Sequence, residues 1–189
     1  MSAAGPAARR LFFALWPDAA ARQAIQKASR AVVRKCGGRP VPAGNYHITL
    51  AFLGDQPTAL CDDIMTAGRA VSARSSGLPV DLELDRFGYW PKPRVFWVGP
   101  SEKFLALSLL ADALWSELEG LGIAPDQRAL QPHVTLARKV QRVPEVDAPL
   151  PVRWAVRDFA LIESVTASSG AEYNVVARFP QGFSPGLIP

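Results

Sequence analysis

The chain has two histidines, and both lie in the same local pattern. His47 begins the segment HITL and His133 begins the segment HVTL, so each is followed two residues later by one of the chain's five threonines. Side chains of a strand alternate between its faces, so His47 and Thr49 point the same way, as do His133 and Thr135. If the fold brings both pairs into one groove, the two imidazoles and two hydroxyls would suit phosphodiester chemistry. One neutral imidazole can accept a proton, the other as imidazolium can donate one, and the hydroxyls can bind phosphate oxygens.

Two other interpretations of the histidines stay open at this point. A single histidine two residues before a threonine is often an ordinary core or surface residue of a strand. Zinc ligation is the second alternative, but zinc usually takes three or four protein ligands with recognisable spacing. The sequence has Cys61, Asp62 and Asp63 together, without an H-E-x-x-H or C-x-x-C motif. We therefore predict a site without a metal.

The spacing of the two patterns indicates how the chain positions them. His47 and His133 lie 86 residues apart in a chain of 189, close to half its length. Both halves carry strand and helix signals. An internal duplication with an approximate two-fold axis would explain this spacing and would place the two His/Thr pairs face to face across a central cleft.

Hydrophobic periodicity predicts the elements that surround the two patterns. The predicted strands cover 11–16, 45–53, 80–85, 94–98, 133–138, 152–163 and 173–179. The predicted helices run from Asp18 to about Gly37, from Pro57 to about Val71, and from Ser101, as N-cap, to Gly120. Strands stand at both ends without regular strand–helix alternation. This order predicts an α+β fold of antiparallel sheets with helices packed on one face of each.

Composition excludes several classes of protein. Hydrophobic residues make up 49% and charged residues 20% of the chain, which is too apolar for disorder. No apolar run approaches the ~18–20 residues of a membrane span, and the run over 11–16 after Arg9 and Arg10 is too short for an export signal. Cys36 and Cys61 predict two reduced thiols, so we expect a cytoplasmic protein. The net charge of +4 is a modest bias towards an anionic partner.

Longer segments around the histidines resemble the 2H phosphoesterases, in particular the bacterial and archaeal RNA 2′,3′-cyclic phosphodiesterases once described as 2′-5′ RNA ligases (the LigT/ThpR group). The segments that carry the resemblance are 10–17 (RLFFALWP), 45–54 (NYHITLAFLG) and 131–138 (QPHVTLAR), with weaker matches at 87–88, 93–99, 161–164 and 173–180. The resemblance covers nearly the whole chain. It implies a bilobal α+β fold, one domain over 1–189 made of two interleaved lobes, with two pseudo-symmetric antiparallel sheets around a central groove.

The resemblance also implies a role for each residue of the site. His47 would protonate the departing 3′ oxygen of a 2′,3′-cyclic phosphate, and His133 would activate water. Thr49 and Thr135 would bind the phosphate, and Arg138, five residues after the second histidine, would contact it too. Strict alternation puts Arg138 on the face opposite His133, so its role requires that the strand end or bulge before it.

The implied substrate is an RNA end or a small 2′,3′-cyclic nucleotide, hydrolysed without metal or cofactor by a monomer that needs no membrane and no obligate protein partner. The same residues run in reverse would make a 2′-5′ ligase, and a non-catalytic RNA-binding module is a further alternative. Phe52, Tyr89 and Trp90 are candidates to stack on a base. Cations in or near predicted loops could steer RNA, and these are Arg34, Lys35, Arg39, Lys92, Arg94 and Arg142.

Overall fold

The computed structural model describes residues 7–74, 78–126, 128–143, 145, 148–167 and 170–180. The strands are β1 (Ala8–Leu15), β2 (Arg39–Pro40), β3 (Ile48–Pro57), β4 (Val80–Leu84), β5 (Arg86–Trp90), β6 (Val95–Gly99), β7 (Val134–Arg138), β8 (Val152–Val156), β9 (Asp158–Ala167) and β10 (Gly170–Pro180). The helices are α1 (Ala19–Lys35), α2 (Cys61–Arg74) and α3 (Leu105–Glu119). Within these ranges no helix is long and apolar enough to cross a membrane.

The described strands form two four-stranded sheets and one two-stranded sheet, all antiparallel. The first sheet has the order β10-β9-β1-β3, and the second has the order β2-β7-β6-β5. β4 and β8 pair only with each other. Each histidine leads into one of the large sheets, because β3 begins directly after His47 and β7 directly after His133. The predicted α+β fold with two antiparallel sheets is confirmed, and the small β4–β8 sheet is an addition to it.

The first two helices form where the periodicity predicts them. The carboxylate of Asp18 caps α1 by accepting a hydrogen bond from the backbone N–H of Ala21 at 2.7 Å, which satisfies one of the unpaired donors of the first turn. Ile25 and Val32 on α1 are buried, as is the Ile64–Val71 face of α2. These apolar stripes join a main core that includes both large sheets.

Helix α3 begins later than the sequence predicts. Ser101 is the predicted N-cap, but α3 starts at Leu105, and Phe104 occupies the N-cap position without a side-chain hydrogen bond. Ser101 instead donates its backbone N–H to the carboxylate of Asp85 at 2.7 Å and its hydroxyl to the same carboxylate. Hydrogen bonds to an ionised carboxylate are stronger than those to a neutral acceptor. The two bonds to Asp85 therefore hold Ser101 beside the β4–β5 connection and outside the helix.

Two strand predictions also need correction. The segment predicted as one strand over 152–163 is divided at Arg157, because β8 pairs with β4 while β9 pairs with β1 and β10. Strand β5 lies in a segment without a strand prediction. Gly88 weakens the strand signal of this segment. The structure nevertheless requires glycine at this position, because a Cβ at Gly88 would lie 2.0 Å from the Trp97 ring.

Candidate active site

The two histidines have the same local geometry. Nδ1 of His47 lies 2.7 Å from the carbonyl oxygen of Asn45, and Nδ1 of His133 lies 2.7 Å from the carbonyl oxygen of Gln131. A carbonyl oxygen only accepts hydrogen bonds, so Nδ1 carries the proton in both rings. The neutral rings therefore present an unprotonated Nε2, which is the atom that can accept or return a proton.

A bulge in β7 decides where Arg138 points. Thr135 pairs with Trp97 and Ala137 pairs with Phe96, so Leu136 is an extra residue on β7. Leu136 and Ala137 are both fully buried, which breaks the alternation of faces. Arg138 is consequently exposed on the same side of the strand as Thr135. The bulge that the role of Arg138 requires is present.

Strand β3 contains the same device at the same position. Thr49 pairs with Ala14 and Ala51 pairs with Phe13, so Leu50 is the extra residue. The residue that returns to the groove side is Phe52, which is 45% exposed and lies under the guanidinium of Arg10 at 5.0 Å. Phe52 is thus the counterpart of Arg138. Both residues stand five positions after a histidine, and this shared spacing is the signal in the sequence for their equivalence.

Aromatic rings surround His47 on several sides. The centroids of Phe12, Trp16 and Tyr173 lie 5.0, 5.7 and 5.2 Å from the centroid of its imidazole. Phe12 and Trp16 belong to a small apolar cluster on the first sheet that is separate from the main core. Burial among these rings lowers the pKa of His47 to about 4, with smaller contributions from the charges of His133 and Arg138 against the raising effect of the Asn45 carbonyl.

His133 has a lighter aromatic environment. Trp90 contacts it edge-on with 4.4 Å between centroids, and Trp97 lies at 6.2 Å. Burial lowers the pKa of His133 as well, and the charge of Arg138 lowers it further, while the hydrogen bond to Gln131 raises it. Both histidines are therefore biased towards their neutral forms.

One cavity brings groups from the two motifs together. Its walls include His47 from the first motif and Thr135 and Arg138 from the second. Thr49 and His133 are not among its lining residues. The charge of His133 nevertheless lowers the pKa of His47, so the two rings interact electrostatically. The predicted face-to-face arrangement of the motifs is consistent with this geometry.

Asn45 holds the loop before β3 against strand β10. Its backbone carbonyl accepts the hydrogen bond from His47, and its side-chain amide donates to the carbonyl of Ala171 at 2.9 Å. Ala171 and Tyr173 of β10 also line the cavity. Asn45 therefore couples the orientation of His47 to the strand that carries one of its aromatic neighbours.

The other predicted candidates lie in less direct positions. Tyr89 packs against the main core and Trp90 contacts His133, so both are half-buried, whereas Phe52 is exposed. In the part of the chain that the structure describes, no group of three or more His, Cys, Asp or Glu side chains could hold a metal. Cys36 and Cys61 are buried and free.

Comparison with known proteins gives one consistent family. The model of the 2′-5′ RNA ligase superfamily matches residues 16–167. RNA 2′,3′-cyclic phosphodiesterase of Escherichia coli is 33% identical over 176 residues, which are 90% of this chain and 96% of the relative. The Thermus thermophilus protein of the same name is 32% identical over 178 residues, which are 90% and 89% of the two chains.

Solved structures agree with the sequence relatives. E. coli LigT in its apo form superposes with a TM-score of 0.79 and 30% identity, covering 92% of this chain and 97% of LigT. LigT complexed with 3′-AMP superposes with a TM-score of 0.80, also at 30% identity, covering 92% and 98% of the two chains. The chain therefore belongs to the 2′-5′ RNA ligase superfamily, the family of LigT-like 2H phosphoesterases.

Proposed function

We propose that this protein hydrolyses the 2′,3′-cyclic phosphate at an RNA 3′ end to a 2′-phosphate, with His47 and His133 as acid and base. The observation that carries this proposal is the shared cavity, in which an imidazole of one motif faces a hydroxyl and a guanidinium of the other. Relatives at 32% and 33% identity bear the name of this activity, and a LigT structure with bound 3′-AMP supports a nucleotide in such a groove.

The proposed reaction moves two protons. Nε2 of His133 takes a proton from water as its oxygen attacks phosphorus, and the bond between phosphorus and the 3′ oxygen breaks. Nε2–H of His47 gives its proton to that departing oxygen. The products are a 2′-phosphate and a 3′-hydroxyl, with His133 protonated and His47 neutral. Proton exchange with solvent restores the starting state.

The lowered pKa of His133 suits a general base in the free protein, whereas His47 becomes a general acid only once substrate is bound. A neutral His133 at neutral pH is ready to accept a proton. His47, with a pKa of about 4, is mostly neutral in the free protein. The negative charge of a bound cyclic phosphate raises the pKa of a nearby imidazole, so substrate binding and protonation of His47 favour one another.

Three further side chains are proposed to bind the phosphate, and a fourth is proposed to bind the nucleobase. Arg138 and Thr135 share the cavity with His47. Arg138 would neutralise the phosphate charge through the paired N–H groups of its guanidinium, and Thr135 would donate a hydrogen bond to a phosphate oxygen. Thr49 has the equivalent place in the first motif. Phe52, which is 45% exposed and lies beside the guanidinium of Arg10, would stack on the terminal nucleobase.

A product assay tests the proposed function. The protein should convert a 2′,3′-cyclic mononucleotide in excess EDTA to the 2′-phosphate. Arg138→Gln should lower kcat/KM by about a hundredfold, because it removes the charge and the paired N–H donors of the guanidinium. Arg128→Gln, on an exposed arginine paired with Asp126, is the matched control and should have no effect. Formation of the 3′-phosphate, or turnover only when metal is added, would contradict the proposal.

Ligation is the second candidate, because the matching family is described as a 2′-5′ RNA ligase superfamily. A 5′-hydroxyl in place of water would attack the same phosphorus and give a 2′-5′ linkage. Supplying an oligonucleotide with a 5′-hydroxyl beside the cyclic end distinguishes the two. We expect the 2′-phosphate to exceed the joined product, because water is present at ~55 M unless the groove excludes it.

A further inference from the structure

Positive charge is concentrated at one edge of the second sheet, next to Arg138. Three chain segments meet there: the end of α1 with β2, the turn before β6, and the end of β7 with the residues after it. We call this surface the basic edge, and its members are Lys35, Arg39, Arg94, Lys139 and Arg142. All five side chains are exposed.

Backbone contacts hold these segments in fixed positions. Arg39 is the register partner of Arg138, and the backbone N–H of Val140 donates to the carbonyl of Arg94 at 3.1 Å. The backbone N–H of Arg142 donates to the carbonyl of Cys36 at 3.2 Å. A Cβ at Gly38 would lie 2.7 Å from the carbonyl oxygen of Arg138, so the two segments are in close contact. The basic residues therefore lie on segments that contact one another through their backbones, and not on independent loops.

Ion pairs between described residues leave most of this edge uncompensated. Segments 34–41, 92–94 and 138–143 contain no aspartate or glutamate. Among the ion pairs between described residues, none includes Lys35, Arg94, Lys139 or Arg142, and the arginines that are paired lie elsewhere, such as Arg9 with Glu163. A surface with several uncompensated cations is the usual electrostatic footprint of a polyanion site.

Two members of the basic edge have backbone conformations that rarely suit their residue type. Arg94 has φ of 63° and Lys139 has φ of 53°, in the left-handed region. Glycine would adopt this region without strain, whereas other residues are uncommon there and their backbone is strained. Basic side chains stand at both positions in spite of that strain.

We propose that the basic edge binds the phosphodiester backbone of the RNA strand that leads into the active site. The proposal rests on the proposed function. Because the reacting phosphate is at the 3′ end, the rest of the RNA strand extends from it in the 5′ direction only. Arg39 is a member of the basic edge and also lines the cavity of His47 and Arg138, so the edge is continuous with the active site. Successive phosphates can then meet successive cations, and Arg and Lys are the usual phosphate partners. The edge would favour an RNA end over a free cyclic nucleotide.

A charge-removal variant tests this proposal on two substrates. The quadruple variant Lys35→Gln, Arg94→Asn, Lys139→Asn and Arg142→Gln removes four charges, with Asn chosen where φ is positive because Asn tolerates that region. Its matched control is Lys27→Gln, Arg69→Gln, Lys103→Gln and Arg157→Gln, which removes the same charge from exposed residues outside the edge. Thermal melting verifies that both variants fold.

The expected result separates long from short substrates. For a short oligoribonucleotide with a cyclic end, the edge variant should lose about tenfold or more in kcat/KM. The slope of log(kcat/KM) against log[salt] should also become shallower by about 0.7 for each phosphate that no longer meets a cation. Hydrolysis of a 2′,3′-cyclic mononucleotide should be unchanged. The control variant should behave like the parent with both substrates.

Other results would overturn the proposal. Equal losses with both substrates would mean that these cations support the active site itself, and an equal loss in the control would mean that only net charge matters. Polyglutamate that competes as well as RNA of equal charge would indicate an acidic polypeptide as the partner. If the parent hydrolyses neither substrate, the proposed function fails. Anisotropy of a labelled oligoribonucleotide then decides the edge separately, since only the edge variant should bind more weakly.

Discussion

The first and second motifs share a backbone and differ in what they present. Each histidine donates from Nδ1 to the carbonyl two residues earlier, each is followed by a threonine, and each strand has a bulge at the next leucine. The bulge returns the fifth residue after the histidine to the groove side. That residue is Phe52 in the first motif and Arg138 in the second.

This difference explains how a nearly symmetric scaffold can bind an asymmetric substrate. An RNA 3′ end has an anionic phosphate on one side and a flat, uncharged base on the other. A guanidinium suits the first and an aromatic ring suits the second. The two bulges therefore give the proposed groove a direction, which the two imidazoles and two hydroxyls alone would not.

The histidines also differ in their surroundings. His47 has three aromatic neighbours and a pKa of about 4, whereas His133 has two, on the other sheet, and a pKa lowered by burial and by Arg138. The proposed acid is thus the ring that depends more strongly on the substrate's charge for its proton. Each of the following experiments tests one part of this contrast.

Removing either imidazole should give the largest effect. His47→Ala and His133→Ala should each lower kcat by about 10²–10⁴-fold, because a positioned acid or base is lost. The double variant should be far less impaired than the product of the two losses, since the pair acts as one unit. Steady-state kinetics on a 2′,3′-cyclic nucleotide provides the measurement, and wild-type kcat in either single variant would refute the two-histidine mechanism.

Removing a hydroxyl should cost less. Thr49→Val and Thr135→Val keep the branched shape of the side chain and delete its O–H donor, which should cost about 3 kcal/mol of transition-state stabilisation, or roughly a hundredfold in kcat/KM. The Ser variants should recover most of it. If Val and Ser variants are equally active, the threonines serve strand packing only.

Acid should destabilise the fold through His47. Its pKa is about 4 in the folded protein against 6.5 when unfolded, so the unfolded chain binds more protons below pH 6.5. Stability should be complete above pH 6.5 and fall by about 3 kcal/mol as the pH drops to 4. Urea unfolding of the wild type and His47→Gln at several pH values isolates this loss. Other groups with lowered pKa values, including His133, Asp85 beside Ser101 and Glu163 beside Arg9, are common to both proteins. Identical pH profiles would show that burial does not hold His47 neutral.

Loss of the stacking ring should give the smallest effect on turnover. Phe52→Ala should lower kcat/KM by about tenfold with a cyclic nucleotide, since stacking on one base is worth about 1–3 kcal/mol, and Phe52→Trp should restore it. Leu105, which is 71% exposed on α3, provides a control, because Leu105→Ala removes an exposed apolar side chain without touching the groove. An unchanged kcat/KM for Phe52→Ala would leave the first bulge without a role in binding.

Local sequence patterns predicted much of this arrangement, and the parts they missed depend on contacts across the chain. The His/Thr spacing identified both motifs, and the buried faces of α1 and α2 follow from periodicity. Strand β5 was missed because Gly88 is required by Trp97, which lies nine residues later. The Ser101 cap was wrong because its hydrogen bonds to Asp85 hold Ser101 at the β4–β5 connection, three residues before the N-cap position at Phe104. The equivalence of Phe52 and Arg138 needs two bulges, and a bulge is defined by pairing with a partner strand.

His47 is proposed as the acid and His133 as the base, and a substrate with sulfur at the 3′ position distinguishes the two roles. A thiolate leaves with little protonation, so the acid becomes nearly dispensable while the base does not. We expect His47→Ala to regain most of its activity on this substrate and His133→Ala to stay inactive. Rescue of His133→Ala instead would reverse the two roles, and rescue of neither variant would contradict acid catalysis at the leaving oxygen.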